Sequence, residues 1–207
     1  MSYDLKNIGI DVSRETIKRL TCFLDLTLKW TKKINLIASS THQTAWERHI
    51  VDSAQIFQYA PPFGKWTDIG SGGGFPGIVT AIIAAEHNTD ARFSLIESDL
   101  RKCTFLRTAI REMHLNATVI PSRIETAPPQ DADVVSARAL ADVAHLLPFA
   151  NRHLRSDGTA VFMKGRSHAE EISAAKANWR FDLRSYPSIT DPTSRIILLK
   201  DIISAAP

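Results

Sequence analysis

Asp68 stands just ahead of a run in which five of the eight residues from Gly70 to Gly77 are glycine, and Glu97 closes the next apolar stretch, Phe93-Ser94-Leu95-Ile96. Backbone so poor in side chains opens its main-chain N–H groups to close approach by a ligand. Lys65-Trp66-Thr67 before it and Ile78 to Ala85 after it predict strand, loop and helix in that order. A phosphate-cradling loop is excluded, because no Gly-Lys-Ser/Thr follows the glycines. Gly72-x-Gly74-x-x-Gly77 has dinucleotide spacing, yet the strand ends at Gly70, and from there Phe75 takes the place of the third glycine. A carboxylate at Asp68 would repel a pyrophosphate and suits a cationic ligand. S-adenosylmethionine carries a sulfonium and an ammonium and no phosphate. Asp68, Gly70, Gly72 and Gly74 therefore read as a methyl-donor loop; a bare turn needs one or two glycines rather than five. Glu97 is placed to accept from both hydroxyls of a ribose, a role that serves nicotinamide and methyl-donor cofactors alike.

Further strand ends carry the rest of the chemistry. Ser122-Arg123-Ile124-Glu125 follows the third strand, where Ile124 offers an apolar face to an adenine and neighbouring N–H groups can read its edge. Ser136-Ala137-Arg138 ends the fourth and Met163-Lys164-Gly165-Arg166 the fifth. Arg123, Arg138, Lys164 and Arg166 thus converge on one rim, joined by Lys32, Lys33 and Arg48 from the amino-terminal part and Arg195 near the carboxyl end. Cations around a nucleoside pocket are the footprint of a nucleic-acid substrate. For Lys29 and Lys32 a solvated helix face is the bland alternative. Asp52 reads as a structural tie to the core, and His49 is open between tie and function.

The positioning elements follow from the apolar periodicity. Val12-Ser13-Arg14-Glu15 predicts a helix start, with the helix running to about Lys33; a loop from Asn35 to about His42 leads to a second helix around Trp46 to Phe57. Pro61-Pro62 ends that appendage. Strands near 65–69, 92–97, 117–120, 132–136 and 158–164 alternate with helices near 77–86, 99–114 and 140–153. A last helix near 168–177 precedes two strands near 180–187 and 195–201. This order predicts an α/β fold, a mostly parallel, doubly wound sheet with the ligand crevice at its carboxyl strand ends. The final pair lacks an intervening helix and predicts one reversed strand near an edge. The expected organisation is a helical extension over 1–62 and a catalytic domain over 63–207 forming one integrated unit.

At 207 residues and net charge +3 the chain can build one sizeable core, and any basic surface must be local. No segment approaches membrane-spanning length, and the charged amino terminus lacks an apolar signal core, so a cytoplasmic location is expected. The two cysteines, Cys22 and Cys103, are both expected on buried helix faces, and their spacing suits no metal.

Lys29-Trp30-x-Lys32-x-x-Asn35-Leu36, Arg48-His49-Ile50-x-Asp52-Ser53, the loop ending Phe75-Pro76-Gly77, Phe105-Leu106-Arg107, Ser122 to Glu125, Arg138-Ala139, Lys164-Gly165 and Arg195 to Lys200 together resemble the bacterial small-subunit rRNA guanine-N7 methyltransferases, also called glucose-inhibited division protein B. The resemblance implies a class I methyltransferase fold with a helical extension, S-adenosyl-L-methionine as cofactor and a guanine N7 in the decoding-region loop of 16S rRNA as target. It implies donor contacts at Gly70, Phe75, Ile124, Glu125 and Arg138. Gly73 stands where the family commonly has proline, and Ala137 where a serine commonly precedes the arginine. The expected partner is 16S rRNA or a small-subunit ribonucleoprotein particle, met by a monomer without metal or membrane.

A guanine N7 carries a free lone pair, so no general base is expected and alignment should supply most of the rate, roughly 7–11 kcal/mol in well-oriented cases. Arg138 is expected to orient cofactor and base, and Lys164 to hold substrate phosphate. No Asn/Asp-Pro-Pro-aromatic loop for exocyclic amines is present, and neither cysteine lies at a strand-end loop. Two other classes remain open: a nicotinamide- or flavin-dependent oxidoreductase, and a non-catalytic RNA-binding or assembly protein.

Overall fold

The computed structural model describes residues 5–205. Seven strands form one sheet in the order β3-β2-β1-β4-β5-β7-β6. β1 (Lys65–Ile69), β2 (Arg92–Glu97), β3 (Ala117–Pro121), β4 (Ala132–Arg138) and β5 (Leu154–Lys164) pair in parallel. β7 (Arg195–Ser204) runs antiparallel to both β5 and β6 (Trp179–Pro187), which is the reversed strand expected from the missing helix. The chain order reverses between β1 and β4, and there the crevice opens.

Local chemistry explains the helices. α1 (Arg14–Thr31) starts where Ser13 Oγ accepts from Thr16 N at 3.2 Å, and Glu86 accepts from Ser13 N at 2.9 Å. Its buried stripe is Leu20, Phe23, Leu24 and Thr27, at helical spacing. α3 (Gly77–His87) is buried from Gly77 to Ala84, and only its last turn, with Glu86 and His87, reaches solvent. α4 (Leu100–Glu112) is capped by Asp99 and α5 (Val143–His153) by Asp142. α6 (His168–Ala175) packs beside α5. Phe23 of α1 lies in the same core as Ile78 and Phe105, so the helical extension shares the hydrophobic centre of the sheet's α3–α4 face.

Three local expectations are corrected. The segment after α1 is a 3₁₀ helix over Ser39–Thr44 rather than a plain loop. The helix expected around Trp46 to Phe57 is a π-turn at Trp46–Val51, a short α2 (Asp52–Ala54) and a 3₁₀ turn at Gln55–Gln58. Cys22 is exposed, because it falls between the stripe positions of α1; Cys103 is buried and donates to Glu97 O at 3.1 Å. Among the described residues, no helix is long and apolar enough to cross a membrane.

The loop-to-helix joint is packed to its limit at Gly77. A Cβ there would lie 2.6 Å from Leu95 Cδ2 and 2.7 Å from Asp68 Oδ2. Gly77→Ala should therefore destabilise the fold by about 1–3 kcal/mol through overpacking, measured by urea unfolding. An unchanged midpoint would show that α3 shifts without cost.

Candidate cofactor cleft and active site

A cleft of about 700 Å³ opens at the carboxyl ends of β1 to β4. Gly70, Gly72 and Phe75 form one wall, Glu97 and Lys102 the next, Arg123, Ile124 and Glu125 the far end, and Arg138 to Asp142 the cover. Of the predicted cofactor residues, Gly70, Gly72, Phe75, Glu97, Ile124, Glu125 and Arg138 come together here; Asp68 and Gly74 do not reach the wall. Gly74 has φ 82°, and a Cβ on it would lie 2.7 Å from Ile78, so its need for glycine is conformation and packing. Lys102, Leu140, His145 and Phe149 also line the cleft. Their helix positions looked like ordinary solvated or packing sites in the sequence.

Glu97 is fixed by the loop it faces. Gly72 N donates to its Oε2 at 2.9 Å and Asp99 N to its Oε1 at 2.8 Å. Each carboxylate oxygen keeps a further lone pair for a hydroxyl, so the group suits a ribose diol.

Asp68 is 1% exposed and lies beneath the loop instead of on the cleft wall. Ser136 Oγ donates to its Oδ1 at 2.6 Å, while Oδ2 has no hydrogen-bond partner among the described residues. Burial pushes its pKa up to about 6, against the pull of the Ser136 hydrogen bond. The expected direct contact with a cationic ligand is thus corrected to a field acting through the glycine loop. At neutral pH this is a mostly ionised carboxylate with an unsatisfied oxygen, an arrangement that favours a positively charged guest nearby.

Arg138 ends β4 at the opposite wall. Its Nη1 donates to Arg48 O at 3.1 Å and lies 3.4 Å from Asp52 Oδ2; its Nη2 lies 3.1 Å from His49 Nδ1. The guanidinium also stacks 5.0 Å above the Phe75 ring. Since arginine only donates, His49 Nδ1 accepts, and the ring proton sits on Nε2, which donates to Thr41 Oγ1 at 2.9 Å. Burial, reinforced by Arg138, pulls the His49 pKa down to about 4. His49 is therefore a neutral brace. Asp52 ties the extension to the core as expected, accepting from Thr190 Oγ1 at 2.7 Å as well.

The expected RNA cations do not form one set. Lys164 is buried, with Nζ 2.6 Å from both Ala141 O and Glu171 Oε2. Glu171 in turn accepts from Val143 N at 3.2 Å. Lys164 thus clasps the β4–α5 loop over the cleft and has no free charge to offer a phosphate; an apolar run ending in lysine looks the same in sequence either way. Arg123 lines the far end of the cofactor cleft. Arg48, 3.8 Å from Asp191, lies with Arg195 and Arg166 around neighbouring recesses, and Lys32 and Lys33 are exposed on the end of α1.

A sheet of this order with its reversed strand, carrying a glycine loop above an acidic strand end, defines a class I, S-adenosylmethionine-dependent methyltransferase. Solved structures share that fold: a SAM-dependent methyltransferase from Aquifex aeolicus matches with TM-score 0.57 over 75% of this chain and 91% of its own, at 13% identity. A variant of the protein MtNAS in complex with S-adenosylmethionine matches with TM-score 0.56 over 89% of this chain and 76% of its own, at 12% identity. At the level of sequence, residues 16–197 match the family model GidB, rRNA small subunit methyltransferase G. The Ribosomal RNA small subunit methyltransferase G of Ruegeria sp. (strain TM1040) is 50% identical over 202 residues, 98% of each chain. That of Rhizobium rhizogenes (strain K84) is 46% identical, covering 92% of this chain and 95% of its own. The chain belongs to the GidB family.

Asp68 yields a stability test with a definite sign. Its folded pKa is raised from 3.8 to about 6, so it stabilises the fold only when protonated, and that contribution is lost as pH rises through 6. In the cofactor-free protein, Asp68→Asn should be more stable than wild type at pH 8 by about 3 kcal/mol, the advantage fading as pH falls from about 6 to about 4. The same variant should bind S-adenosylhomocysteine, which lacks the sulfonium charge, nearly as well as wild type does, while losing roughly 10- to 100-fold for S-adenosylmethionine. Urea unfolding at two pH values and calorimetry read both. Equal losses for the two ligands would remove the through-loop electrostatic role.

Proposed function

We propose that this protein transfers a methyl group to the N7 of a guanine in the decoding-region loop of 16S rRNA, acting as a cytoplasmic monomer on the RNA or on a small-subunit particle. The observation that carries the reading is the state of the side chains around Arg138. His49, the nearest candidate base, has one ring nitrogen occupied by Arg138 and the other carrying its proton toward Thr41. Asp52 is engaged by Arg138 and Thr190, and Asp68 is sealed under the loop. No free proton acceptor faces the crevice from this cluster. That suits a nucleophile whose lone pair is already available, as guanine N7 is, better than an exocyclic amine or a ring carbon.

S-adenosylmethionine, when bound, supplies a methyl carbon already activated by its sulfonium. The chain's residues hold and align. Glu97 would accept from a ribose, Ile124 and Glu125 would hold the purine, and the loop over Gly70 and Gly72 would let backbone approach the amino-acid end. Phe75 carries Arg138 on one face of its ring system and His49 beside it, 5.1 Å between ring centres, so loop and guanidinium keep one relative position. Positive charge passes from sulfur to the purine during transfer, and Asp68 and Asp52, both acting on Arg138, temper the extra cation at that spot. Lys164 contributes by clasping the cleft cover, not by contacting phosphate. The exposed Lys32, Lys33, Arg48 and Arg166 remain the candidates for RNA backbone.

Mapping N7-methylguanosine in 16S rRNA from cells with and without the protein tests the reading; identical maps would refute it. Gly72→Leu supports a finer division. A Cβ at Gly72 meets nothing closer than 3.7 Å, so the new side chain projects into the cleft rather than into the fold. The positive φ of 52° costs roughly 1–2 kcal/mol. S-adenosylhomocysteine binding should vanish while RNA affinity stays within about two-fold, because electrostatic RNA affinity resides in cations elsewhere. Parallel loss of both would show that cofactor and RNA share the loop.

A further inference from the structure

Beside the cofactor cleft lies a second recess of about 340 Å³, on the β4–β5–β7 side of the crevice. The two share Arg138 and Ala139 and no other residue. Ala139 is held at φ 52°, a left-handed conformation that a non-glycine residue adopts only under constraint from its surroundings. Its side chain is a single methyl, so the partition between the recesses is thin in side-chain atoms. Met163 and Ile196 supply apolar wall. The volume sits at the lower end of the range for small-ligand sites, enough for one base.

We propose that this recess receives the target guanine, its O6 toward Arg138, its N7 toward the partition shared with the cofactor cleft and its N1–H/N2–H edge toward Asp191, making Asp191 the residue that selects guanine. The proposal rests on the guanine-N7 reading above and adds to it where the base sits and what reads it. Arg138 spends three contacts on Arg48, His49 and Asp52, which leaves guanidinium N–H groups free for an acceptor. Guanine puts the acceptor O6 beside N7, so arginine can hold O6 and leave the N7 lone pair free for the methyl, whereas adenine puts an amino donor there and would meet arginine donor to donor.

Asp191 lies on the β6–β7 connection across the recess. Its Oδ1 accepts from Thr193 N at 2.9 Å and Thr193 Oγ1 at 2.7 Å, which fixes the carboxylate plane. Its Oδ2 stands 3.8 Å from Arg48, beyond good hydrogen-bond length, and so retains acceptor capacity. The Thr193 hydrogen bonds hold the group below the usual carboxylate range, so it is ionised at neutral pH. A fixed anion facing adjacent N1–H and N2–H donors pairs with guanine; adenine offers a bare N1 acceptor there. The base must leave its stack to enter, as for other enzymes acting on a base atom inside structured nucleic acid.

The experiment uses the full chain on small-subunit particles reconstituted with rRNA carrying guanine or inosine at the methylated position. Inosine keeps N7, O6 and N1–H but lacks the 2-amino group. Wild type should favour guanine by about 10-fold in kcat/KM, the low end for one lost base contact. Asp191→Ala should lower kcat/KM on guanine below the wild-type inosine value, lower it on inosine less, and bring the ratio close to one, with S-adenosylhomocysteine affinity unchanged. Asp191→Asn, which presents an amide donor to the same edge, should show the same collapse with an unaltered melting temperature, separating recognition from folding. A guanine-to-inosine ratio of one in wild type, or a ratio preserved in both variants, overturns the proposal while leaving guanine methylation standing. No transfer by wild type to either substrate overturns the underlying reading as well.

Discussion

Everything at the crevice is referred to one guanidinium. Arg138 ends a strand that is buried from Ala132 to Ala137, and its charge is accommodated there by three residues of the helical extension and the Phe75 ring. Burial pulls its pKa down while Asp52, paired with it, and Asp68 pull it back. Removing Asp52, the carboxylate paired with it, leaves a poorly compensated buried charge, which costs more than the pair itself contributes. The extension is therefore coupled to the chemistry through this contact as well as through the apolar packing of α1.

Asp68 shows the opposite sign of the same physics. Its carboxylate is placed where the folded protein would be better off with it protonated, and one oxygen has no donor. Local strain of this kind persists where the surroundings over-determine it and where a ligand relieves it. Gly77, packed against the same carboxylate with no room for a Cβ, keeps helix α3 tight to β1 and stops water from reaching Asp68. Stability is given up at one atom so that the cleft carries a negative field of its own.

Strand ends were legible in the sequence, and for a physical reason: where an apolar run stops in a parallel sheet, the next residue must enter the crevice. That logic located Gly70, Gly72, Glu97, Ile124 and Arg138 correctly on the cleft. It could not tell a residue in the wall from one just beneath it, and so misplaced Asp68 and Gly74. Nor could it tell a free cation from a clasped one. Lys164 ends an apolar run as Arg138 does, but its partner Glu171 lies seven residues on, inside a helix whose orientation only the packed fold reveals. Cys22 failed on helical phase, one position away from the buried Phe23.

The least legible part is also the most informative. Periodicity predicted one regular helix from Trp46 to Phe57, yet the segment opens with a π-turn in which Asp52 N bonds to Glu47 O, five residues back. Widening the turn by one residue changes the angular offset between the residues before and after it. His49 and Asp52, placed on either side of that change, both reach Arg138, as does the carbonyl of Arg48. Here the Arg48 carbonyl also accepts from a guanidinium. The irregular turn thus supplies a neutral imidazole, a carboxylate and a carbonyl to one cation. Pattern reasoning fails at such a turn because the fold has given up local regularity there to build the site.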